Sequence, residues 1–331
     1  MLTIVAGVLG GTVLMPMKYV RGWPFPKLWL VYSMCAYLIS PIGVALATVP
    51  DLRAVYADSG TITLLLTALF GLGWGLAVVL AGMSADLLGL SLSSAILYGA
   101  SIAVGSLTAL LIVNPGRLLT GYGLAVGALD LSMIAGVLLC VRAGNLREAV
   151  RVESAKVTKP KGSYRLGMLV CFAASVLSTL FNVALAYGDG IAKQAVRHGA
   201  EPFYAANAVW GLAVSFGSIP SIVWSLWSLR KPVIAESKTE LPRPWSNAGL
   251  CVAMGILWIS GTVLYGAATR TMGPMGPVVG WPVYMSGMIL TSNFWGWFTN
   301  EWKGIVGRPV WTMLGGILLQ IVSITFLGQV H

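Results

Sequence analysis

Residues 70–91 read FGLGWGLAVVLAGMSADLLGLS, and residues 254–275 read MGILWISGTVLYGAATRTMGPM. The two stretches share a pattern of glycine and tryptophan at a single offset of 184 residues. The matching positions are Gly71, Trp74, Gly82 and Gly89 with Gly255, Trp258, Gly266 and Gly273. Tryptophan is uncommon enough that this pattern indicates an internal repeat, which predicts two related halves.

Composition places both halves in a membrane. Of the 331 residues, 57% are hydrophobic and only 10% are charged, with a mean hydropathy of +0.82. Soluble domains carry about 25% charged residues. Apolar runs near the length that a helix needs to cross a bilayer recur along the chain. We predict an all-α integral membrane protein with ten transmembrane helices, at roughly 2–20, 28–49, 61–83, 89–113, 121–141, 166–187, 204–229, 247–268, 276–298 and 309–329.

The polar stretch 142–165 separates five predicted spans from five, so the halves are 1–141 and 166–331. Because five is odd, the second half enters the membrane inverted, as in many secondary transporters. Loops after odd-numbered spans carry 16 Lys and Arg residues, and the other loops carry 5. The positive-inside rule therefore predicts that 142–165 is a cytoplasmic linker loop of a protein in the cell inner membrane.

The same asymmetry explains the net charge of +10 without a nucleic-acid partner, since no soluble basic domain is present. No phosphate-binding loop, nucleophile–base pair or carboxylate pair is found, so neither an enzyme nor a nucleotide-driven pump is expected. The two histidines are His198 and His331, and the four cysteines lie singly in apolar runs. We therefore expect no metal site and no cofactor.

Aromatic and amide side chains within the spans are the parts from which a sugar site is built. The candidates for substrate binding are Trp74, Trp258, Tyr98, Asn182, Asn207, Ser93 and Tyr284. For any one of these aromatic residues the alternative is plain packing or a place in the interfacial belt. Trp74 and Trp258 occupy repeat-related positions, so they are predicted to face each other across a central cavity.

Asp130 is the one acid well inside a predicted span. Ionisable groups at membrane depth are rare and usually functional, which makes Asp130 the candidate for proton coupling. The alternative is a carboxylate that reaches a polar pocket or the interface and contributes only to packing.

Several short motifs resemble one family. They are Pro16-Met17-Lys18 with Trp23, GWGLAVVLAGMSADLLGLSL at 73–92, Arg142–Glu148, Glu201–Tyr204, Glu301–Lys303 and Gly307–Val310. In these motifs the chain resembles the L-rhamnose–proton symporters of the drug/metabolite transporter superfamily. Asp130 and the apolar stretch PVVGWPVYMS at 277–286 depart from the family pattern.

The resemblance implies ten helices in two inverted halves and uptake of a rhamnose-like deoxyhexose coupled to proton entry. The expected partners are therefore a small-molecule sugar, protons and the lipid bilayer, and the sequence leaves the oligomeric state open. Two transport alternatives are an exporter and an uncoupled carrier of another small polar metabolite. A membrane sensor that transports nothing is a third alternative, against which the small loops speak.

Overall fold

The computed structural model describes residues 1–88, 90–152, 164–230, 243–299 and 302–329 of the chain. Every regular element in these ranges is helical. The α-helices are α1 Leu2–Thr12, α2 Phe25–Ser33, α3 Ser40–Thr48, α4 Leu52–Ala57, α5 Thr61–Leu88, α6 Leu90–Val113, α7 Gly121–Val152, α8 Tyr164–Ser178, α9 Leu180–Tyr187, α10 Asp189–Arg197, α11 Asn207–Leu229, α12 Pro244–Thr271, α13 Gly276–Phe298 and α14 Arg308–Leu327.

Nine helical segments of the described ranges are long and apolar enough to cross a membrane. One of them, Arg165–Arg197, includes α8, α9 and α10. The helix α13 is 23 residues long but is not among the nine, because its Gly, Pro and Trp residues lower its hydropathy. The chain is therefore an all-helical, multi-pass membrane protein.

A proline interrupts the second span. A π-helical segment, Met34–Ile39, joins α2 to α3. Pro41 has no N–H to give to the carbonyl one turn earlier, that of Tyr37, so the regular helical pattern cannot continue there. The Ser40 hydroxyl donates to the carbonyl of Cys35 at 2.6 Å, inside the irregular turn. The result is a local widening of the helix at Tyr37, a feature often found at functional sites.

The helices pack around a common centre. The helix α5 lies against α11 and α8, α7 lies against α14, and α1 packs between α12 and α13. The helix α6 contacts α7, α8 and α13. Glycines permit the closest of these contacts, since Gly71 and Gly75 of α5 lie directly on the α11 backbone at Ala213 and Gly217.

Loop contacts fall into two groups. In one, Asp58 of the loop before α5 meets His198 after α10 at 2.8 Å, and Arg270 at the end of α12 bonds to Asp189 at 3.1 Å. In the other, the Asn247 side chain donates to the backbone carbonyl of Arg21 at 2.7 Å. In the same group, the Lys18 ammonium donates to the Thr299 hydroxyl at 2.8 Å.

The region between the predicted halves is partly helical. The helix α7 runs to Val152, so residues 142–152 of the predicted linker continue that helix. Residues 153–163 lie outside the described ranges, as do Gly89 of the repeat pattern and Glu301 of a family-like motif.

Candidate functional site

A cluster of aromatic rings fills the centre of the helix bundle. Trp74 of α5 and Trp258 of α12 stack on each other, with ring centroids 5.6 Å apart and an interplanar angle of 28°. Tyr37 meets both tryptophans edge-on, at 5.1 Å and 4.9 Å. Phe181 of α9 lies 5.2 Å from Trp74. The two tryptophans at the common sequence offset are therefore neighbours, and other rings enclose them.

The cluster continues toward α11 and α13. Phe181 stacks on Trp210 of α11 at 4.5 Å. Tyr284 of α13 stacks on Tyr265 of α12 at 4.8 Å, and Trp281 lies 6.2 Å from Phe181. Tyr98 of α6 packs against the same core. We call this set of rings the aromatic cluster; its members are Tyr37, Trp74, Tyr98, Phe181, Trp210, Trp258, Tyr265, Trp281 and Tyr284.

Asn182 is the main polar group within the cluster, and it is completely buried. Its side-chain nitrogen donates to the carbonyls of Gly105 in α6, at 3.2 Å, and Pro277 in α13, at 3.0 Å. Its side-chain oxygen accepts a hydrogen bond from the Tyr265 hydroxyl. A single amide thereby joins α6, α9, α12 and α13, and both of its hydrogens are already used.

Two further hydrogen bonds join α6 to α13. The Trp281 indole nitrogen donates to the carbonyl of Ser101 at 2.8 Å. The Ser106 hydroxyl donates to the carbonyl of Val278 at 2.9 Å. Pro282 explains why the Val278 carbonyl is free, because a proline supplies no N–H to the carbonyl four residues before it. We call these bonds, with the Asn182 bridge, the α6–α13 seam.

Asp130 lies beside this seam on α7. Its side chain is 1% exposed, and it is the only acid among the buried side chains that the structure describes. The Ser106 hydroxyl is the polar group next to the carboxyl, but the single hydroxyl proton is given to Val278. Both carboxyl oxygens are left without a hydrogen-bond partner in the described ranges. A buried carboxyl without a donor is far more stable protonated than charged.

Two of the residues predicted to bind substrate have their hydrogen bonds elsewhere. Asn207, at the start of α11, donates to the Thr48 hydroxyl at the end of α3, at 2.9 Å. Ser93, in the first turn of α6, bonds to Ser84 of α5, and Cys171 of α8 donates to its carbonyl. The structure therefore brings Trp74, Trp258, Tyr98, Asn182 and Tyr284 together, and leaves these two in separate helix contacts.

Sequence reasoning did not select Tyr37 or Phe181, although both touch Trp74. A signal for Tyr37 existed, since it lies four residues before Pro41 and carries the carbonyl to which Pro41 has no N–H to donate. Phe181 had no such signal beyond its position next to Asn182.

The arrangement suits a small molecule with an apolar face. Flat ring surfaces pack against C–H groups, while an amide and tyrosine hydroxyls supply hydrogen bonds. Trp74 and Trp258 are in direct contact, so this conformation is closed between them. Among the described residues, no group of three or more His, Cys, Asp or Glu side chains could hold a metal ion.

Comparison with known proteins gives one consistent result. The family model for L-rhamnose-proton symport protein (RhaT) matches residues 2–330. An L-rhamnose-proton symporter of Citrobacter koseri is 24% identical over 95% of this chain and 92% of its own length. A protein of the same name from Cronobacter sakazakii is 25% identical over 95% of this chain and 91% of its own length. An L-rhamnose-proton symporter of Salmonella enteritidis PT4 is 25% identical over 95% of this chain and 92% of its own length.

Proposed function

We propose, because the chain belongs to the L-rhamnose-proton symport protein family, that it carries a rhamnose-like deoxyhexose together with protons across the inner membrane. Its relatives are named as transporters, not enzymes. The observation that carries the proposal is the stacked pair of Trp74 and Trp258 inside the aromatic cluster. A deoxyhexose presents C–H faces and a methyl group to such rings. Its hydroxyls bond to the tyrosines and donate to the second lone pair of the Asn182 oxygen.

Helix packing supports ten spans in two inverted halves, with α13 as the ninth. Each helix of the first half can be paired with one of the second half in chain order, and the main helix contacts of one half then correspond to those of the other. The first half is α1, α2–α3, α5, α6 and α7, and the second half is α8–α9, α11, α12, α13 and α14. The contact of α5 with α11 becomes that of α12 with α2–α3, and the contact of α5 with α8 becomes that of α12 with α1. The pairs α6–α13 and α7–α14 map onto themselves. Transporters with this symmetry bind their substrate near the midplane, between the halves.

The two groups of loop contacts support the orientation. Asp58, His198, Asp189 and Arg270 all belong to loops after even-numbered spans. Arg21 and Thr299 lie after odd-numbered spans, which carry most of the Lys and Arg. Ten crossings put these groups on opposite sides of the membrane, with the basic one in the cytoplasm.

Transport requires the stacked tryptophans to separate. A sugar ring between two aromatic faces makes two van der Waals contacts of about 3.5–4.0 Å, so the faces must lie about 7–8 Å apart. The present 5.6 Å is too short for this. The structure therefore corresponds to a closed state, and substrate enters when α5 and α12 move apart.

Asp130 is the proposed proton-coupling group. It is buried, has no ion-pair partner among the described residues and lies beside the α6–α13 seam. A carboxyl in such a place takes up a proton when its surroundings are closed and releases it when water enters.

The substrate proposal is tested in proteoliposomes with labelled L-rhamnose and an inward proton gradient. We expect gradient-driven accumulation, and a rise in KM of about tenfold or more in Trp258→Ala, since one face of the site is lost. Trp258→Phe should keep most of the affinity. Trp311→Ala is the matched control, because Trp311 is 73% exposed on α14. An unchanged KM for uptake by Trp258→Ala would exclude the aromatic cluster as the sugar-binding site.

The coupling proposal needs a second measurement. Asp130→Asn should abolish accumulation against a gradient and preserve exchange of labelled for unlabelled sugar, because a neutral amide cannot carry the proton. Asp130→Glu should retain some accumulation. Asp86→Asn is the control, since Asp86 is exposed near the end of α5. Unchanged accumulation in Asp130→Asn would exclude this carboxyl.

A further inference from the structure

Ser106 lies between two acceptors that compete for its one proton. Its hydroxyl donates to the Val278 carbonyl of α13, and the Asp130 carboxyl of α7 lies beside it. Pro282 keeps the Val278 carbonyl free of a helical partner. The serine is thus placed where three helices meet, with one hydrogen bond that can go to either neighbour.

We propose that Ser106 is a positioning residue that transmits the protonation state of Asp130 to the α6–α13 seam. While Asp130 carries its proton, Ser106 donates to Val278 and the seam is closed, as in this structure. When the proton leaves to water, the Ser106 hydroxyl turns to the carboxylate and the Val278 carbonyl loses its donor. This inference rests on Asp130 being the coupling group.

The exchange is favourable for a physical reason. A hydrogen bond to a carboxylate is about twice as strong as one between neutral groups. A buried carboxylate with no donor is also very costly, so it accepts a hydrogen bond from the nearest hydroxyl. The Val278 carbonyl bears no charge, so its loss of a partner is the smaller cost.

Other groups that could satisfy Asp130 are few on the helices packed against α7. The titratable side chains there are Tyr98 on α6, Tyr284 on α13 and Arg308 at the start of α14, with Arg117 in the turn before α7. Arg117 lies over the Tyr122 ring at the start of α7. Tyr98 and Tyr284 pack in the aromatic cluster. Ser106 is the group identified next to the carboxyl.

The effect on substrate follows from what α13 carries. Trp281 comes one turn after Val278, and Tyr284 comes one turn after that. Their rings belong to the aromatic cluster, and the Asn182 bridge lies at the adjacent residue, Pro277. Loss of the Ser106 bond therefore loosens α13 at the point where it supports the proposed sugar site.

The test compares Ser106→Ala, which removes the hydroxyl, with Ser106→Thr, which keeps it. In proteoliposomes with labelled L-rhamnose, we expect Ser106→Ala to lower gradient-driven accumulation about tenfold, with sugar exchange within about threefold of the parent. The proton-to-sugar ratio should fall, and Ser106→Thr should restore it. Ser218→Ala is the matched control, because Ser218 is a buried serine on α11 that donates to the Ser215 carbonyl within its own helix. Preserved exchange shows that the variants fold.

Two single variants separate this inference from the proposed function. If Asp130→Asn loses coupling and Ser106→Ala does not, the transmission through Ser106 is wrong and the coupling site stands. If Asp130→Asn keeps coupling, the coupling site itself fails.

Discussion

Two helix contacts near the centre of the molecule are built in opposite ways. Between α5 and α11, glycines bring the backbones together, and a methyl group on Gly71 or Gly75 would overlap Ala213 or Gly217. Between α6 and α13, side chains make the contact through the hydrogen bonds of Ser106, Trp281 and the Asn182 bridge.

The difference indicates which contact can rearrange. Backbones in close contact at glycines have one good arrangement, and any shift costs packing. Hydrogen-bond donors can change acceptors, and Pro282 leaves the Val278 carbonyl of α13 available to them. We therefore expect α5 and α11 to move as a rigid pair, while α6 and α13 shift against each other.

The largest effect is expected from the glycine contact. Gly75→Ala should prevent folding or lower the stability by at least about 3 kcal/mol, because the new methyl group meets backbone that cannot move aside. The measurement is the yield of monodisperse protein in detergent, followed by its thermal unfolding.

The control for that change is on the same helix. Gly82→Ala should be neutral, since nothing lies within 4 Å of an added methyl group there. Equal behaviour of Gly75→Ala and Gly82→Ala would mean that α5 and α11 are not held by close contact.

A middle-sized effect is expected from the amide in the α6–α13 seam. Asn182→Ala removes two donated bonds and leaves the Tyr265 hydroxyl without its acceptor. We expect a loss of about 2–3 kcal/mol, smaller than that of the glycine contact, measured as a lower unfolding temperature in nanodiscs.

The matched control is Asn293→Ala on α13. Asn293 donates to Ile289 within its own helix, so its loss should cost much less. If both variants lose the same stability, the bonds between helices contribute nothing beyond local ones, and the proposed contrast between the two contacts is wrong.

The sequence predicted most of the helices, because hydropathy marks where most apolar segments begin and end. The stretch 276–298 was predicted from its pattern and forms α13, Gly276–Phe298. Two features of the fold were not predicted from the sequence. The π segment Met34–Ile39 reflects backbone hydrogen bonding, which hydropathy does not report. The helix α7 continues to Val152 because its charged end still favours helix after the apolar part stops.

Within the candidate site, the common offset of 184 residues was more informative than residue type. Trp74 and Trp258 were paired by their common offset, and the structure stacks them. Asn207 and Ser93 were chosen as polar residues in spans, and their hydrogen bonds lie in other helix contacts. Composition does not say at which depth or toward which neighbour a side chain lies, so tertiary contacts had to supply that.

The smallest effect, and the finest test of the seam, comes from two tryptophans. Trp281 donates its indole N–H to Ser101, whereas the Trp210 N–H is buried with no partner in the described part of the chain. Both Trp→Phe changes remove similar ring volume from the aromatic cluster, so their difference isolates the hydrogen bond. Such bonds between membrane helices average about 0.6 kcal/mol. Trp281→Phe should therefore unfold about 1–3 °C below Trp210→Phe. The reverse order would show that the α6–α13 seam is held by packing, as α5 and α11 are.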